Sequence, residues 1–401
     1  MTETRSDAGA NRGSPVLIAG AGIGGLAAAL ALARCGIASH VLEQRAAFEP
    51  EGAGIQIGPN GTRILQQLGV ADALRPHVGE PRCICVRDGA SGDVLTRLPL
   101  GDWIASRHGA AYWVAHRRDL HAALLQAVQA SPLATLQMGV VATGARDDDN
   151  GAVLATESGE NLAGRALIAA DGVWSRLRSA VFDCPGPRFS GKSAARSVLA
   201  IDDVPEVLRE PETTIWLLPD AHVVHYPVSG GRELAVVVIV ANDGGTQDWS
   251  TPVEPSWLAG HMPPCAGLLR DLIAAAASWR KWALQNATWP RTFASGRIAL
   301  LGDAAHPVMP FLAQGGVLAL EDAAVLASEI AAQGDDVAAA LAGYARKRQP
   351  RAARVAEASR RNGVIYHHAG LVARARNAVL RNVPPERLMA RYDWLYGWRS
   401  T

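Results

Sequence analysis

The chain has 401 residues, of which 49% are hydrophobic and 19% are charged, with a formal net charge of +1. This is the composition of a globular protein with two domains or one elaborated α/β domain, and its near-neutral charge indicates neither a nucleic acid nor a membrane surface as partner. The five cysteines are scattered and odd in number, which predicts reduced thiols in a cytoplasmic protein. Cys83 and Cys85 have no second Cys/His pair at metal spacing, so no metal site is predicted.

A glycine-rich turn near the N-terminus predicts a dinucleotide-binding unit. Residues 1–14 are polar and small, and we expect them to form a disordered leader. The apolar strand Val16–Ala19 then enters a glycine turn at 20–25, a helix runs from 26 to about 35, and a second apolar run ends on Glu43. Strand, turn, helix and strand in this order are typical of a βαβ unit whose helix N-terminus faces a pyrophosphate.

Three glycines and one carboxylate have separate roles in this unit. Gly20 allows the tight turn, Gly22 lets the backbone approach the pyrophosphate, and Gly25 lets the helix pack closely on the strand. Glu43 lies about 20 residues into the unit, where its carboxylate can accept hydrogen bonds from both hydroxyls of an adenosine ribose. The apolar run 16–32 could also be taken for a membrane span, but its glycines and mid-run turn favour a buried strand and helix.

The next segments predict a loop, a hairpin and a helix. Residues 51–60 form a glycine-dense loop that ends in a helix start near Pro59. A hairpin is predicted with arms at 82–87 and 94–100. His116-Arg117 opens a further helix, where the arginine is either solvated or close enough to a nucleotide to reach a phosphate.

The middle of the chain changes from short strands to a longer sheet. Short strands are predicted at 133–138, 140–147 and 152–157, and a buried strand at 165–170 ends on Asp171. Asp171-Gly172 is a good turn dipeptide, but the carboxyl end of a strand is also where open α/β sheets bind ligands. From Pro185 the pattern becomes alternating or β-branched, which predicts a mostly antiparallel sheet with strands at 197–201, 213–218, 222–228 and 234–240.

The C-terminal third begins with a buried strand at 297–301 that runs into Gly302-Asp303. A loop at 311–316 leads into a helix that carries Glu321-Asp322, and the chain is helical by spacing from 337 to about 379. Three groups of side chains are given non-catalytic roles: the Arg346–Arg354 cluster and His367-His368 are predicted to be solvated, and His306 to be structural.

Three separated stretches, 20–25, Asp171-Gly172 and Gly302-Asp303, together resemble the flavin-dependent aromatic hydroxylases, the single-component class A flavoprotein monooxygenases. The resemblance covers the chain from Val16 to about Trp398. Within the family, the sequence most resembles the group of 3-hydroxybenzoate 6-hydroxylase, salicylate hydroxylase and 6-hydroxynicotinate 3-monooxygenase. That closer similarity is carried by Gly52–Gln56, Gly302–Pro307, Ala313–Gly315, Glu321–Ala323 and Tyr392–Tyr396.

The resemblance implies FAD as the cofactor and a nicotinamide as the electron donor. In this family NAD(P)H reduces FAD, O2 adds at the flavin C4a position, and the hydroperoxide attacks an electron-rich ring. NADH is expected rather than NADPH, although Glu43 reports only on FAD. The positions implied to lie along the cofactor are Gly20, Gly22, Gly25, Glu43, Arg45, Gln56, Arg117, Asp171, Asp303, Pro307, Gln314, Gly315 and Gly316.

His222 and Tyr226 are the candidate catalytic residues. Residues four apart on a strand share a face, so both side chains point one way while Val223 and His225 point the other way. Similar enzymes carry a His and a Tyr at this spacing on the sheet below the flavin. The histidine can accept or relay a phenol proton, and the tyrosine can donate a hydrogen bond to the ring oxygen. The alternative is a half-exposed strand in which both residues are unremarkable.

The substrate is less well defined by the sequence than the cofactor. Gln56 matches the hydroxybenzoate enzymes rather than the hydroxynicotinate ones, while Ala194–Ser197 and Gly316 depart from the family pattern. A small phenol or hydroxypyridine carrying a carboxylate is implied, and Arg196 or another arginine could bind that carboxylate.

The sequence therefore predicts an α/β protein in which a Rossmann-like FAD-binding domain is interrupted by a mostly antiparallel substrate domain and followed by C-terminal helices. Its predicted function is FAD-dependent hydroxylation of a small aromatic ring by a monomer or homodimer that binds neither nucleic acid nor a membrane. The alternatives are a hydroxylase or epoxidase of a larger natural-product ring and a non-catalytic, flavin-binding redox sensor. The predicted limits are 15–80, 106–184 and 291–335 for the FAD-binding domain, 81–105 and 185–290 for the substrate domain, and 336–401 for the C-terminal helices.

Overall fold

The computed structural model describes residues 13–48, 54–148, 151–242 and 250–400. Residues 1–12 of the predicted leader lie outside this part of the chain, as do the first residues of the glycine-dense loop, 51–53, and the predicted turn at 149–150.

Strands and helices are numbered in chain order. The strands are β1 Val16–Ala19, β2 Ser39–Glu43, β3 Gly54–Ile57, β4 Cys83–Asp88, β5 Val94–Pro99, β6 Trp113–His116, β7 Ala134–Met138, β8 Ala142–Asp148, β9 Gly151–Thr156, β10 Asn161–Gly164, β11 Ala166–Ala169, β12 Arg188–Ala200, β13 Thr213–Leu218, β14 Ala221–Val228, β15 Glu233–Ala241, β16 Thr251–Val253, β17 Trp279–Asn286, β18 Ala294–Ser295 and β19 Ile298–Leu300. The helices are α1 Ile23–Arg34, α2 Pro59–Leu68, α3 Ala71–Leu74, α4 Gly101–His108, α5 Arg117–Gln129, α6 Arg176–Phe182, α7 Pro255–His261, α8 Gly267–Ala274, α9 Gly315–Gln333, α10 Val337–Tyr366, α11 Gly370–Asn382, α12 Pro385–Ala390 and α13 Asp393–Tyr396.

A six-stranded sheet in the order β18-β19-β11-β1-β2-β7 forms the first layer. Its strands are parallel except for the β18–β19 pair, and every residue of β1 and β11 is buried, as the continuous apolar sequence predicts. Ala19 of β1 pairs with Ala169 of β11, which pairs with Leu300 of β19. The loops that follow these three strands therefore meet at one edge of the sheet.

An eight-stranded sheet in the order β16-β17-β12-β15-β14-β13-β4-β5 forms the second layer. It is antiparallel except for the β13–β4 pair, and it includes the predicted hairpin of β4 and β5. One of its faces contributes Trp216, Val223 and Val238 to a core that also contains Leu258 of α7 and Leu269 of α8. The opposite face of this sheet is directed toward the first layer.

The element predictions are wrong in three details. Residues 54–57 of the predicted loop form β3, which pairs antiparallel with β6. The strand predicted to begin at Ser197 begins at Arg188, because its early residues pair with β15 and β17 despite their weak alternation. The C-terminal helical region is divided at 367–369, between α10 and α11.

The prediction that the Arg346–Arg354 cluster is solvated is wrong for two of its members. The Arg348 guanidinium is 1% exposed, with Nε 2.6 Å from Asp322 Oδ1 and Nη2 2.9 Å from Glu321 Oε2. Arg351 lies 2.8 Å from Glu321 Oε1, and neither carboxylate has any exposed surface. These four side chains link α9 to α10 through a buried ionic network.

The same network reaches the loop after β19. Asp322 Oδ2 accepts a hydrogen bond from the Gly302 backbone N–H at 3.0 Å and lies 2.6 Å from His306 Nε2. Burial raises the pKa of Asp322, but His306 and Arg348 outweigh this effect and hold the pKa at about 2. The Gly302-Asp303 turn is therefore fixed by an ionised carboxylate inside the protein.

We expect Arg348→Met to lower the free energy of unfolding by about 3–5 kcal/mol, because it leaves Asp322 and Glu321 buried with too little positive charge. Urea unfolding at pH 7 measures the effect. Arg346→Met is the matched control, since Arg346 is exposed on the same helix and its loss should change stability by less than about 0.5 kcal/mol.

The effect of Arg348→Met should also depend on pH. A carboxyl with a lowered folded pKa contributes stability above its unfolded value of about 3.9, and this contribution is lost as the pH falls toward about 2. The difference in the free energy of unfolding between wild type and variant should therefore become smaller below about pH 4. A difference in unfolding free energy that stays constant down to pH 2 would contradict the presence of an ionised Asp322 in the network.

Candidate active site

A cleft of about 330 Å³ lies between the loop edge of the parallel sheet and the open face of the antiparallel sheet. Its walls come from the glycine turn after β1, the loops after β11 and β19, and strands β12, β14 and β15. The residues predicted from the sequence that border it are Gly22, Gln56, Arg117, His222, Tyr226, Asp303, Pro307, Gly315 and Gly316. The other predicted positions do not line it: Gly20, Gly25, Glu43, Arg45, Asp171 and Gln314.

The glycine turn has the geometry of a phosphate-binding loop. Gly20 has φ +106°, and a Cβ atom there would lie 2.5 Å from the Ala170 carbonyl oxygen. A Cβ atom on Gly25 would overlap the Gly20 carbonyl oxygen, whereas one on Gly22 would meet nothing within 4 Å. Helix α1 begins after Gly22 without a side-chain cap, so its first N–H groups can face an anion.

Glu43 is held beside this turn at the end of β2. Its Oε2 accepts a hydrogen bond from the Ala21 N–H at 2.9 Å, and its Oε1 accepts one from the Arg45 N–H at 3.0 Å. Each oxygen keeps a second lone pair, which a sugar hydroxyl could use. The side chain of Arg45 itself is exposed.

The two aspartates have different environments. Asp303 is exposed to the cleft, and a Cβ atom on Gly315 would lie 3.9 Å from its Oδ1. Asp171 Oδ2 instead accepts a hydrogen bond from the Leu177 N–H at 3.3 Å, at the start of α6. Its Oδ1 is buried without a partner in the described part of the chain, and burial raises the pKa of the carboxyl. The side chain of Asp171 thus supports the loop from behind, while Gly172 borders the cleft.

Gln314 and Gln56 are oriented by hydrogen bonds. Gln314 is 2% exposed, and its Oε1 accepts a hydrogen bond from Asn60 Nδ2 at 3.0 Å. Asn60 Nδ2 also lies 2.8 Å from Glu321 Oε1, which connects the loop to the buried ionic network. On the other wall, Gln56 Oε1 accepts a hydrogen bond from the Tyr112 hydroxyl at 2.6 Å. The backbone of Gly315 and Gly316, at the start of α9, remains open to the cleft.

His222 and Tyr226 both face the cleft from β14. Val223, on the opposite face of the strand, lies in the core of the antiparallel sheet, which agrees with the predicted alternation. Tyr226 is 3% exposed and packs directly on Gly54, and its hydroxyl has no hydrogen-bond partner among the described residues. Burial raises the pKa of Tyr226, so it stays a neutral hydrogen-bond donor.

The prediction that His367 is solvated is wrong. His367 Nε2 lies 2.8 Å from His222 Nδ1, and Lys192 Nζ lies 3.2 Å from His367 Nδ1. The His222 ring also packs edge-on against Phe311 and Tyr366, at 5.5 and 5.3 Å between centroids. The helical spacing from 337 to about 379 placed His367 within a helix and carried no signal of this contact.

Arg196 is a half-buried cation that has no counter-ion among the described residues. It lies on β12 with its guanidinium over the Trp282 ring, 4.8 Å from the centroid, and it borders the cleft together with Tyr226. Its Nε is buried and has no hydrogen-bond partner in the part of the chain that the structure describes, and burial lowers the pKa of the guanidinium to about 10. A buried charge of this kind is costly unless a ligand pairs with it.

A second cavity of about 480 Å³ adjoins the cleft. The wall residues common to both are Gln56, His222, Val224, Pro310 and Ala313. The second cavity extends between β4, β5, β13 and helices α10–α12. Its walls are mainly aliphatic and aromatic, so it suits an apolar molecule or an apolar part of one.

Within 13–48, 54–148, 151–242 and 250–400, no helix is long and apolar enough to cross a bilayer. The same residues contain no group of three or more His, Cys, Asp or Glu side chains placed to hold a metal ion.

Comparisons with known proteins show which family the chain resembles in sequence and fold. The FAD binding domain family matches residues 13–359. The chain is 35% identical to a 3-hydroxybenzoate 6-hydroxylase of Polaromonas naphthalenivorans, over 96% of both proteins. It is 35% identical to a 6-hydroxynicotinate 3-monooxygenase of Bordetella bronchiseptica, over 88% of this chain and 92% of that protein. Among solved structures, Klebsiella pneumoniae HpxO complexed with FAD and uric acid has a TM-score of 0.84 and 28% identity, covering 95% of this chain and 96% of that one.

We expect Glu43→Ala to weaken FAD binding by about tenfold or more, since it removes the predicted acceptor for the ribose and the hydrogen bond to the Ala21 N–H of the glycine turn. Flavin content after purification and FAD titration of the stripped protein measure the effect. Exposed Glu160→Ala is the control and should leave FAD binding unchanged. Equal flavin content in the two variants would remove Glu43 from the site.

Proposed function

This chain belongs to the FAD-binding family of flavin-dependent aromatic monooxygenases, and we propose that it uses NAD(P)H and O2 to hydroxylate a small phenol or hydroxypyridine that carries a carboxylate. The observation that carries the proposal is the cleft itself. It joins a glycine turn suited to phosphate binding to a pocket that contains an imidazole, a phenol and a guanidinium that no described carboxylate pairs with.

The described residues fit FAD. We propose that the N–H groups after Gly22 bind the pyrophosphate, Glu43 the ribose and Asp303 the ribityl chain or pyrophosphate, with the α9 N-terminus beside the flavin ring. Bound there, FAD would take a hydride from NAD(P)H and, with O2, supply an electrophilic oxygen atom for the ring. NADH is the proposed donor, and Arg45 and Arg117 would lie along the cofactor.

Three side chains are proposed to bind the aromatic substrate. Arg196 would pair with its carboxylate, because no acidic side chain of the described residues neutralises this buried guanidinium. His222 and Tyr226 would contact the ring hydroxyl and favour its ionised form, which makes the ring electron-rich. The relatives are named for 3-hydroxybenzoate and 6-hydroxynicotinate, rings that carry both of these groups.

The apolar second cavity favours one alternative. A volume of about 480 Å³ beside His222 could hold the remainder of a larger natural-product ring, which would be hydroxylated or epoxidised at the end that enters the cleft. The redox-sensor alternative has no such support, since the relatives are named as hydroxylases and monooxygenases.

We also propose a cytoplasmic protein that acts as a monomer or homodimer. All five cysteines are free thiols in the fold, which suits a reducing compartment.

The function is tested by measuring NADH and NADPH oxidation by the FAD-loaded protein across hydroxylated benzoates, hydroxynicotinates, uric acid and larger phenols, with product and peroxide quantified. One hydroxybenzoate or hydroxypyridine that stimulates oxidation and yields matching hydroxylated product supports the proposal. Turnover of larger phenols alone would support the alternative, and peroxide alone with every compound would contradict both.

Arg196→Met should raise KM for a hydroxybenzoate by about 30-fold or more while KM for its amide analogue changes little, because only the carboxylate pairs with the guanidinium. Steady-state kinetics with the acid and the amide measure this contrast. Equal losses with both compounds would place Arg196 in flavin positioning instead.

His222→Ala should lower the rate of ring hydroxylation by about 10²-fold or more and change its pH profile, while NADH still reduces the flavin. Stopped-flow reduction and product analysis separate these steps. Val224→Ala is the control, because Val224 borders the same cleft without a polar group. Unaltered product formation in His222→Ala would exclude the residue from the chemistry.

A further inference from the structure

We propose that Lys192, acting through His367, fixes the tautomer of His222, so that His222 presents an N–H donor to the cleft and binds the substrate as a phenolate. The inference rests on the proposed function, because it assigns the protonation state of the histidine at that site. Lys192 and His367 are positioning residues, since both act through His222.

The three side chains form an unbroken line of hydrogen-bonding atoms. Lys192 Nζ lies 3.2 Å from His367 Nδ1, and His367 Nε2 lies 2.8 Å from His222 Nδ1. The remaining ring nitrogen of His222, Nε2, has no partner in the described part of the chain, and the ring borders both cavities.

The chemistry of Lys192 determines which atom donates and which accepts in each of these hydrogen bonds. An ammonium group can only donate, so Lys192 donates to His367 Nδ1, which must carry a lone pair. A neutral imidazole has one donor and one acceptor, so His367 carries its proton on Nε2 and donates to His222 Nδ1. By the same rule, His222 carries its proton on Nε2, the atom left for the cleft.

The surroundings keep both rings neutral. Burial, His367 and Lys192 hold the pKa of His222 well below its usual value. Burial and Lys192 also lower the pKa of His367, against a raising effect of Asp220 and with a further lowering effect of Arg376, to about 4. The other groups packed on the His222 ring are Phe311, which has no charge, and Tyr366, whose pKa is raised by burial. No described carboxylate contacts His222 to oppose the influence of Lys192.

A fixed N–H donor changes what His222 can do to a phenol. With Nδ1 accepting a hydrogen bond and Nε2 protonated, the ring has no free lone pair with which to remove the phenol proton. It can instead donate to a phenolate oxygen, which lowers the pKa of the bound phenol. The phenol O–H bond breaks, its electron pair stays on oxygen, and the proton passes to bulk buffer.

The tautomers can be observed without turnover. Nitrogen-15 NMR of the FAD-loaded protein with labelled histidine distinguishes a protonated from an unprotonated ring nitrogen, and His222→Gln and His367→Gln identify the two residues. The expected result is Nε2–H for both rings in the wild type. A His222 ring protonated on Nδ1 at pH 7 would overturn the proposal.

The consequence for the substrate is tested by spectral titration of a bound phenol that is a substrate, without NADH. In Lys192→Met, the ionised fraction at a pH below the bound pKa should fall by about tenfold, because the His367–His222 pair can reverse and accept from neutral phenol. Lys192→Arg keeps a permanent donor and should restore the wild-type titration. Lys347→Met is the control, since that lysine pairs with Glu329 on the surface.

The outcomes separate this inference from the proposed function. If no phenol binds to the wild type, the proposed function fails first. If phenol binds and ionises equally in the wild type, Lys192→Met and Lys192→Arg, the proposed function stands and the role of Lys192 is refuted. If Lys192→Arg behaves like Lys192→Met, the charge of the side chain is not what sets the tautomer, which also refutes the proposal.

Discussion

The pairing of two buried carboxylates with two buried arginines is the interaction on which the rest of the structure depends. Glu321 and Asp322 are adjacent on α9 and have no exposed surface, so each must be neutralised inside the protein. Arg348 and Arg351 of α10 do this from one side, and His306 Nε2 lies 2.6 Å from Asp322 on the other side. The C-terminal helices are thereby joined to the parallel sheet by charge as well as by apolar contact.

The network also sets the shape of the cleft. Asp322 holds the Gly302 N–H after β19, and Glu321 holds Asn60, which in turn orients Gln314 before α9. Both loops lie at the edge where the ends of β1 and β11 supply the glycine turn and Gly172. A cofactor at this edge would therefore lie between backbone segments fixed by interactions outside the cleft, which leaves their N–H groups free for the ligand.

The antiparallel sheet on the other side of the cleft contributes polar side chains rather than backbone N–H groups. Its exposed face carries His222, Tyr226 and Arg196, three desolvated polar groups that are only partly satisfied by the protein. Burial keeps the imidazole neutral, and the guanidinium has no counter-ion among the described residues, so this face of the cleft carries a positive charge that would suit the aromatic anion we propose as substrate. The cavity beyond His222 adds space whose walls are mainly apolar.

The sequence by itself determined the features that depend on neighbours along the chain. The glycine turn, the buried parallel strands and the shared face of His222 and Tyr226 follow from local backbone sterics and strand alternation, and these features carried the family resemblance. Only the tertiary structure decided which distant side chains meet. His222 and His367 are 145 residues apart, and Lys192 and His367 are 175 apart, so no periodicity could connect them. The sequence could not predict the burial of Arg348 or the lack of a described partner for Arg196 Nε, for the same reason. The environment of a charge is set by the elements packed around it, whereas residue spacing describes only the faces of a single helix or strand.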